Sequence, residues 1–317
     1  VSFEESMDRP AEAEPDDREP VRSLPDYLHY RAEQPTYRSP GPLRIMVAAF
    51  EGWNDAGEAA TDAVEELASQ AHAEQYRQVN DDDYYDFQMT RPVITRSENS
   101  QGQINWPQTR ILHSAAGTTT EDQPDLYFML GVEPSLRWRA FVSEIVDVAE
   151  DLDLDAVVMV GSYLSDVPHS RPLTATLFST QSAVRAGLED VLSPHYEGPT
   201  GITGVIAEEA ARDGFTVLSV WSVVPHYVSQ APSPKAKLGL VTRLEELLGM
   251  RVEVGSLTED AEAWERGVDE LAEEDQEVSE YIRRLEKAQD TEELPEASGE
   301  SIAREFERFL RRRDDQQ

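Results

Sequence analysis

The chain has 317 residues, of which 63 are acidic and 28 basic, for a formal charge of −35. So acidic a surface repels nucleic acid and anionic lipid and makes both poor partners. With no cysteine, disulfides, thiolate zinc sites and a cysteine nucleophile are excluded. The length allows one or two domains plus extensions. No apolar run approaches the ~20 residues that a membrane-spanning helix needs. The first 20 residues, Val1 to Pro20, are acidic and hold no apolar stretch of the signal-peptide kind. The expectation is a cytoplasmic protein with no membrane partner.

Residues 1–40 are rich in Pro, Glu, Asp and Arg and read as an acidic arm that cannot bury enough surface to fold alone. Val21, Leu24, Tyr27, Leu28 and Tyr30 are its candidates for docking on the main body. Pro40-Gly41-Pro42 punctuates the start of the next unit. Leu43 to Phe50 is a near-continuous apolar run, as expected of a strand buried on both faces. Ala56, Ala59, Ala60, Ala63, Val64 and Leu67 then recur at helical spacing, with Asn54 or Asp55 as the N-cap.

Residues 76–111 change character. Pro92 to Arg96, the turn cluster 97–102 and Gln103 to Trp106 predict a hairpin of Val93–Arg96 with Gln103–Trp106. Thr109 to His113 is read as a continuation of that antiparallel part. Leu126 to Gly131 predicts a buried strand, followed by a helix over 137–151. Asp155 to Val160 predicts another strand, ending at Gly161-Ser162-Tyr163, and the strand–helix–strand order implies a right-handed parallel crossover. Residues 165–172 are a loop, and 180–192 are expected to be helical. Thr200-Gly201-Ile202-Thr203-Gly204 opens a helix closed at Asp213-Gly214. Phe215 to Val224 is a strand, and Pro234 starts a helix running to Leu248. The alternation predicts an α/β domain over about 41–254.

Residues 257–317 form a helical extension. Ser256-Leu257-Thr258-Glu259 has a capping-box pattern. Trp264, Leu271, Val278 and Leu285 recur every seven residues, with Val268 and Ile282 in a second seam that Asp275 interrupts. The pattern fits an amphipathic helix packed on its own domain, or a helix paired with a second subunit. Ile302, Phe306, Phe309 and Leu310 mark a further short helix.

Polar loops follow the predicted strands, and parallel strands would bring them to one edge. Glu51, Asp55 and Glu133 offer paired carboxylates for acid–base work or for holding Mg²⁺, while Asp55 as a helix cap and Glu51 in a salt bridge is the plainer reading. Ser162, Asp166 and His169 share one loop and invite comparison with a catalytic triad. The sequence around Ser162 is not the Gly-x-Ser-x-Gly elbow. No histidine pair has metal-ligand spacing, so no metal is expected. Gly201 and Gly204 could hold an anion at a helix start or simply permit helix entry. Trp53, Asn54, Gly161, Arg171, His226 and Tyr227 complete the candidate ligand-binding set. No glycine-rich nucleotide motif is present and no cofactor is expected.

Phe50-Glu51-Gly52-Trp53-Asn54-Asp55-Ala56-Gly57 resembles the first motif of the bacterial and archaeal relatives of the proteasome assembly chaperones. Gly131-Val132-Glu133-Pro134 with Trp138, Val160 to Leu164 with Pro168 to Pro172, Gly201 to Gly204, and Tyr227-Val228 with Ala231 to Ala236 are similar to later motifs. The chain thus looks like a bacterial member of the proteasome assembly chaperone 2-like family over about 43–250. The resemblance implies a three-layer α/β/α fold of the phosphorylase/hydrolase-like type, with a mixed, mostly parallel sheet. It also implies self-association as a homo-oligomer, a trimer among the candidate states, with proteasome components as candidate partners. Some relatives dock on proteasome α-rings through a C-terminal hydrophobic-Tyr-x motif. The sequence here ends Arg313-Asp314-Asp315-Gln316-Gln317, so docking in that manner is not expected. Two functions follow as expectations. One is an assembly-chaperone-like, protein-binding role. The other is a hydrolase-, phosphorylase- or ligase-like enzyme, or a small-anion binder, using the strand-end loops.

Overall fold

A computed structural model describes Leu24 and residues 43–79, 83–96, 102–114, 124–188 and 190–293. Its centre is the apolar run that follows Pro42. Strand β1 (Arg44–Glu51) is buried from Ile45 to Phe50, and parallel neighbours flank it on both sides. These are β6 (Asp125–Val132) and β7 (Ala156–Ser165). Strand β10 (Thr216–Pro225) extends the parallel set beyond β7. A strand buried on both faces has no polar side to show, so its sequence reads as continuous rather than alternating apolar.

Antiparallel strands finish the sheet at each side. Beyond β6 lie β5 (Thr109–Ser114) and then β2 (Glu74–Gln78). Beyond β10 lie β8 (Thr176–Phe178) and then β9 (Val191–Leu192). The eight-stranded order is β2-β5-β6-β1-β7-β10-β8-β9. Strands β3 (Val93–Thr95) and β4 (Gln103–Asn105) form the expected hairpin as a separate two-stranded sheet.

Alternate side chains of β1 go to opposite layers. Ile45, Val47 and Ala49 join the core beneath helices α1 (Ala59–Gln70) and α5 (Pro234–Leu248). Met46, Ala48 and Phe50 join the core beneath α2 (Trp138–Asp151) and α4 (Ile202–Arg212). The architecture is therefore a three-layer α/β/α sandwich. Burying each large aliphatic or aromatic side chain here stabilises by roughly 1.5–3 kcal/mol before entropy is counted. Leu24, of the N-terminal arm, is itself buried in the first of these cores. The other arm residues expected to dock lie outside the described residues.

Several expectations need correction. Thr109 to His113 does not prolong the hairpin but forms β5 inside the main sheet. Strand β2 was not foreseen. It is almost wholly exposed and polar, so no hydrophobic alternation marks it. Residues 180–192 are not one helix. A short α3 (Ser182–Gly187) follows β8 and precedes β9, because Ser179 and Gln181 turn the backbone by bonding Val217 and Phe215 of the neighbouring strand region. The capping box does not operate either. Helix α6 (Gly255–Glu274) begins one residue before Ser256 and has no side-chain cap.

The tail consists of α6 and α7 (Gln276–Glu293), broken at Asp275. Asp275 is extended, at φ −125°, and its carboxylate accepts the N–H groups of Glu277 and Val278 to start α7. Leu257, Ala261, Val268, Ala272 and Ile282 are buried, whereas Leu271 of the seven-residue seam stands in solvent. The tail thus lies on its own chain. Polar contacts fix it to the loop after β7. Lys235 bridges Glu265 of α6 and the His169 carbonyl. Arg171 forks onto both oxygens of Asp290 at 2.8 and 2.9 Å, which holds that carboxyl below the usual aspartate range. The expected further helix at 302–310 lies outside the described residues.

Removing the guanidinium in Arg171→Ala should loosen α7 selectively. Hydrogen exchange should quicken across 276–293 while β1, β6 and β7 keep their protection. Equal exchange of α7 in variant and native protein would show that the fork does not hold the helix.

Candidate functional site

The loops after β1, β6, β7 and β10 do gather beyond the carboxyl ends of the parallel strands. Their polar groups are spent largely on one another. Glu51 ends β1, and Gly52 follows at φ 122°, a region that glycine enters at little cost. A Cβ there would press on the Glu133 side chain. The Glu133 N–H donates to the Glu51 carbonyl at 2.9 Å, keeping the ends of β1 and β6 in register.

Asp55 is buried at 7 % exposure. Its Oδ1 accepts the N–H of Ala60 at 2.8 Å and of Thr61 at 3.2 Å, and its Oδ2 accepts the Thr61 hydroxyl. A 3₁₀ turn over Ala56–Glu58, with Gly57 and Glu58 left-handed, sets the carboxylate back along the helix axis. Asp55 therefore caps α1 from outside the usual N-cap position. Burial raises its pKa, against the opposing pull of the Thr61 and Ala60 donors. Glu51 is also raised, first by partial burial of its carboxyl and then by Asp55, Glu58 and Glu65. As a residue Glu51 is solvent-exposed.

Glu133 performs the same task for α4. Its Oε1 accepts the N–H of Ile202 at 2.8 Å. The anion that the Gly201–Gly204 helix start could bind is therefore an internal one. A side chain at Gly201 would run into Asn54 and the Glu133 carboxylate. That glycine is required by space, since its φ of −88° is open to any residue.

Ser162, Asp166 and His169 do not assemble as a triad. Ser162 is fully buried and donates from Oγ to the Ala56 carbonyl at 2.9 Å. Its N–H donates to the Asn54 carbonyl at 2.8 Å, which pins the first loop to β7. Asp166 pairs with His226 Nδ1 at 3.0 Å. His169, at 1 % exposure, meets the Tyr227 hydroxyl through Nδ1 at 2.9 Å and Asp269 of α6 through Nε2 at 3.0 Å. The Tyr227 hydroxyl also accepts the His169 backbone N–H at 2.7 Å. A carboxylate only accepts, so in the neutral imidazole the Asp269 partner favours the proton on Nε2 and leaves Nδ1 to accept the Tyr227 hydroxyl. Burial, with nearby Glu286, Tyr281 and Asp269, pushes the Tyr227 pKa up to about 12. Arg171 and His226 likewise serve the tail: Arg171 grips Asp290, and His226 packs edge-on to Tyr227 and Tyr281.

A different set of residues lines a cavity of about 490 Å³ beside α4. Trp53, Asn54 and Gly204 of the candidate set line it, together with Tyr163, Phe178, Tyr196, Glu208 and Trp221. Glu51, Asp55, Glu133 and His169 do not share this cavity. Gly161 shapes it from below. It is the register partner of Trp221 on β10, and a Cβ there would run into the indole. Of the aromatic members only Trp53 was among the candidates; Tyr163, Phe178, Tyr196 and Trp221 escaped because they come from four separate segments. The pairing of a mid-strand glycine with a mid-strand tryptophan was the available signal, and it is legible only once the register is known. Among the described residues, no group of three or more His, Asp or Glu is placed to hold a metal ion. Nor is any helix of them long and apolar enough to cross a membrane.

The PAC2 family model matches residues 49–272. A PAC2 family protein from Streptomyces avermitilis has 42% identity and a TM-score of 0.69, over 75% of this chain and 99% of that one. A proteasome-assembly chaperone homologue from Mycobacterium tuberculosis has 41% identity and a TM-score of 0.66, over 75% and 99%. Pyrococcus furiosus PbaB, an archaeal proteasome activator, shares the fold at 12% identity and a TM-score of 0.57, over 74% and 96%. No curated protein sequence matches.

The raised pKa of Asp55 has a testable sign. Its folded value lies above its unfolded one, so protonation favours the native state and the charge costs stability at neutral pH. Asp55→Asn keeps an acceptor and removes the titration. Its stability relative to the native protein should be most favourable near pH 7 and decline as pH falls through the native Asp55 pKa. Thermal melts from pH 7 to pH 4 measure this. A difference that is constant, or that grows in the variant's favour in acid, contradicts it.

Proposed function

Because this chain belongs to the PAC2 family, we propose that it acts as a homo-oligomeric, protein-binding protein of the assembly-chaperone kind. The supporting observation is the division of labour at its surface. The polar side chains at the strand ends cap helices and hold the tail, while large apolar side chains beside them stand in solvent. Trp53 is 70% exposed, with Tyr163 and Leu164 about half exposed. Single exposed apolar residues need no explanation, whereas grouped ones mark contact surfaces.

Self-association is assigned to the β3/β4 hairpin. Val93, Ile94, Ile104 and Trp106 are all at least half exposed there, and Ile94 pairs directly with Ile104. A lone two-stranded hairpin is marginal in water. A second copy covering these side chains would supply the missing burial. Proteasome components are the proposed partner class, on the strength of the Mycobacterium relative described as a proteasome-assembly chaperone homologue. The acidic surface favours partners with basic faces and speeds their encounter.

Light scattering on the purified protein should give a mass above one chain, and the double variant Ile94→Asp/Ile104→Asp should give a monomer that keeps its far-UV spectrum. Pull-down with purified proteasome α-subunits should retain the native protein, and Trp53→Ala with Tyr163→Ala should weaken it at least about tenfold, as expected of exposed aromatic anchors. A native monomer at all concentrations that retains no proteasome subunit would defeat the reading.

A further inference from the structure

The cavity beside α4 has a chemistry of its own. On this face α2 and α4 cover the inner strands, and β10 with β8 extend past them. Trp221, Ser219 and Val217 of β10 and Phe178 of β8 line the uncovered area. Gly204, Ala207 and Glu208 supply the α4 side, and Trp53 and Tyr196 line it from the two flanking loops. At about 490 Å³, the space matches the ~300–1,000 Å³ typical of small-molecule sites.

Its surfaces favour one charge. Two indoles, Trp53 and Trp221, and two phenols, Tyr163 and Tyr196, line the cavity, and the faces of such rings attract cations. Tyr163 and Trp221 pack edge-to-face with centroids 6.1 Å apart. Glu208 brings a carboxylate and His195 an imidazole, and among the described residues no lysine or arginine lines the space. Asn54 also lines it, and its buried Oδ1 has no hydrogen-bond partner. The positive end of α4, which could otherwise attract an anion, is already occupied by Glu133. The net charge of −35 points the same way.

We propose that this cavity is a binding site for a small, flat organic cation, an aromatic amidinium or amine held between the indole and phenol faces and paired with Glu208. The site shares Trp53 and Tyr163 with the proposed partner-binding surface and holds no residue of the hairpin, so the ligand would bind where a protein partner also docks.

The probes are benzamidinium and tryptammonium, with benzamide and benzoate as neutral and anionic counterparts of the first. The readouts are the melting temperature and the indole N–H signals of the five tryptophans in a proton–nitrogen correlation spectrum. At least one of the two cations should bind saturably, raise the melting temperature and shift Trp53 and Trp221 while leaving Trp264 in place. Benzamide should bind more weakly than benzamidinium, and benzoate should not bind. Glu208→Gln, on the exposed side of α4, should weaken cation binding about threefold, the scale of an exposed charge pair. Ala207→Trp should fill the space and abolish it. If Ala207→Trp fails to fold, Glu208→Gln and the three-way probe comparison still decide. Failure of both cations to bind, or binding of benzoate as tight as that of benzamidinium, overturns the proposal. So does binding unaffected by Glu208→Gln.

Discussion

The carboxyl edge of the sheet depends on two carboxylates that each answer the free N–H groups of a helix. Asp55 holds the start of α1 and Glu133 the start of α4. The helices lie on opposite faces of the sheet. A helix end buried without acceptors costs about 1–3 kcal/mol for each orphaned donor. Each carboxylate therefore fixes a whole layer against the strand that carries it. Glu133 also crosses from β6 to a helix 69 residues further along the chain, and so ties an early strand to a late layer. Ser162 completes the frame by linking the loop after β1 to β7 through both its N–H and its hydroxyl.

This arrangement limits what the polar strand-end loops can do chemically. A general base needs a free lone pair near a substrate proton, and a nucleophile needs that base beside it. Asp55 accepts three donors and Ser162 donates into a backbone carbonyl. His169 is held on both ring nitrogens between Tyr227 and the tail carboxylate Asp269. The Tyr227–His169–Asp269 chain resembles catalytic relays in composition, yet its outer end is a tail helix rather than an open cleft. Its product is adhesion of α6 to the loop after β7.

Much of the fold was legible because its signals are local. The strands from Leu43, Leu126, Asp155 and Phe215 are apolar runs, and the helix at Pro234 carries its own start signal. What escaped depends on distant partners. Strand β2 is polar and exists because β5 pairs with it. Residues 180–192 turn where Gln181 finds Phe215 and Val217 across the sheet. The candidate site shows the same division. The polar loops were recognisable by residue type, and Asp55 was readable as a cap. That Glu133 would serve α4, and that His169 would be consumed by a helix 100 residues away, required the tertiary structure.

The cavity follows from the widths of the elements themselves. Strands lie about 4.8 Å apart and helices need about 10 Å, so two helices cover roughly four strands. On the α1/α5 face the tail adds Leu257 to the covering layer. On the other face α2 and α4 have no third companion among the described residues, and β8 with the outer side of β10 is lined by the loops that carry Trp53 and Tyr196. A sheet surface in that position must be polar, covered or used. Here it bears Trp221 and Phe178, and Gly161 is kept small beneath the indole. Aromatic side chains that the two helices leave uncovered, beside the Glu208 carboxylate and with no lysine or arginine among the described lining residues, make a surface whose unmet demand is for a flat apolar body with positive charge.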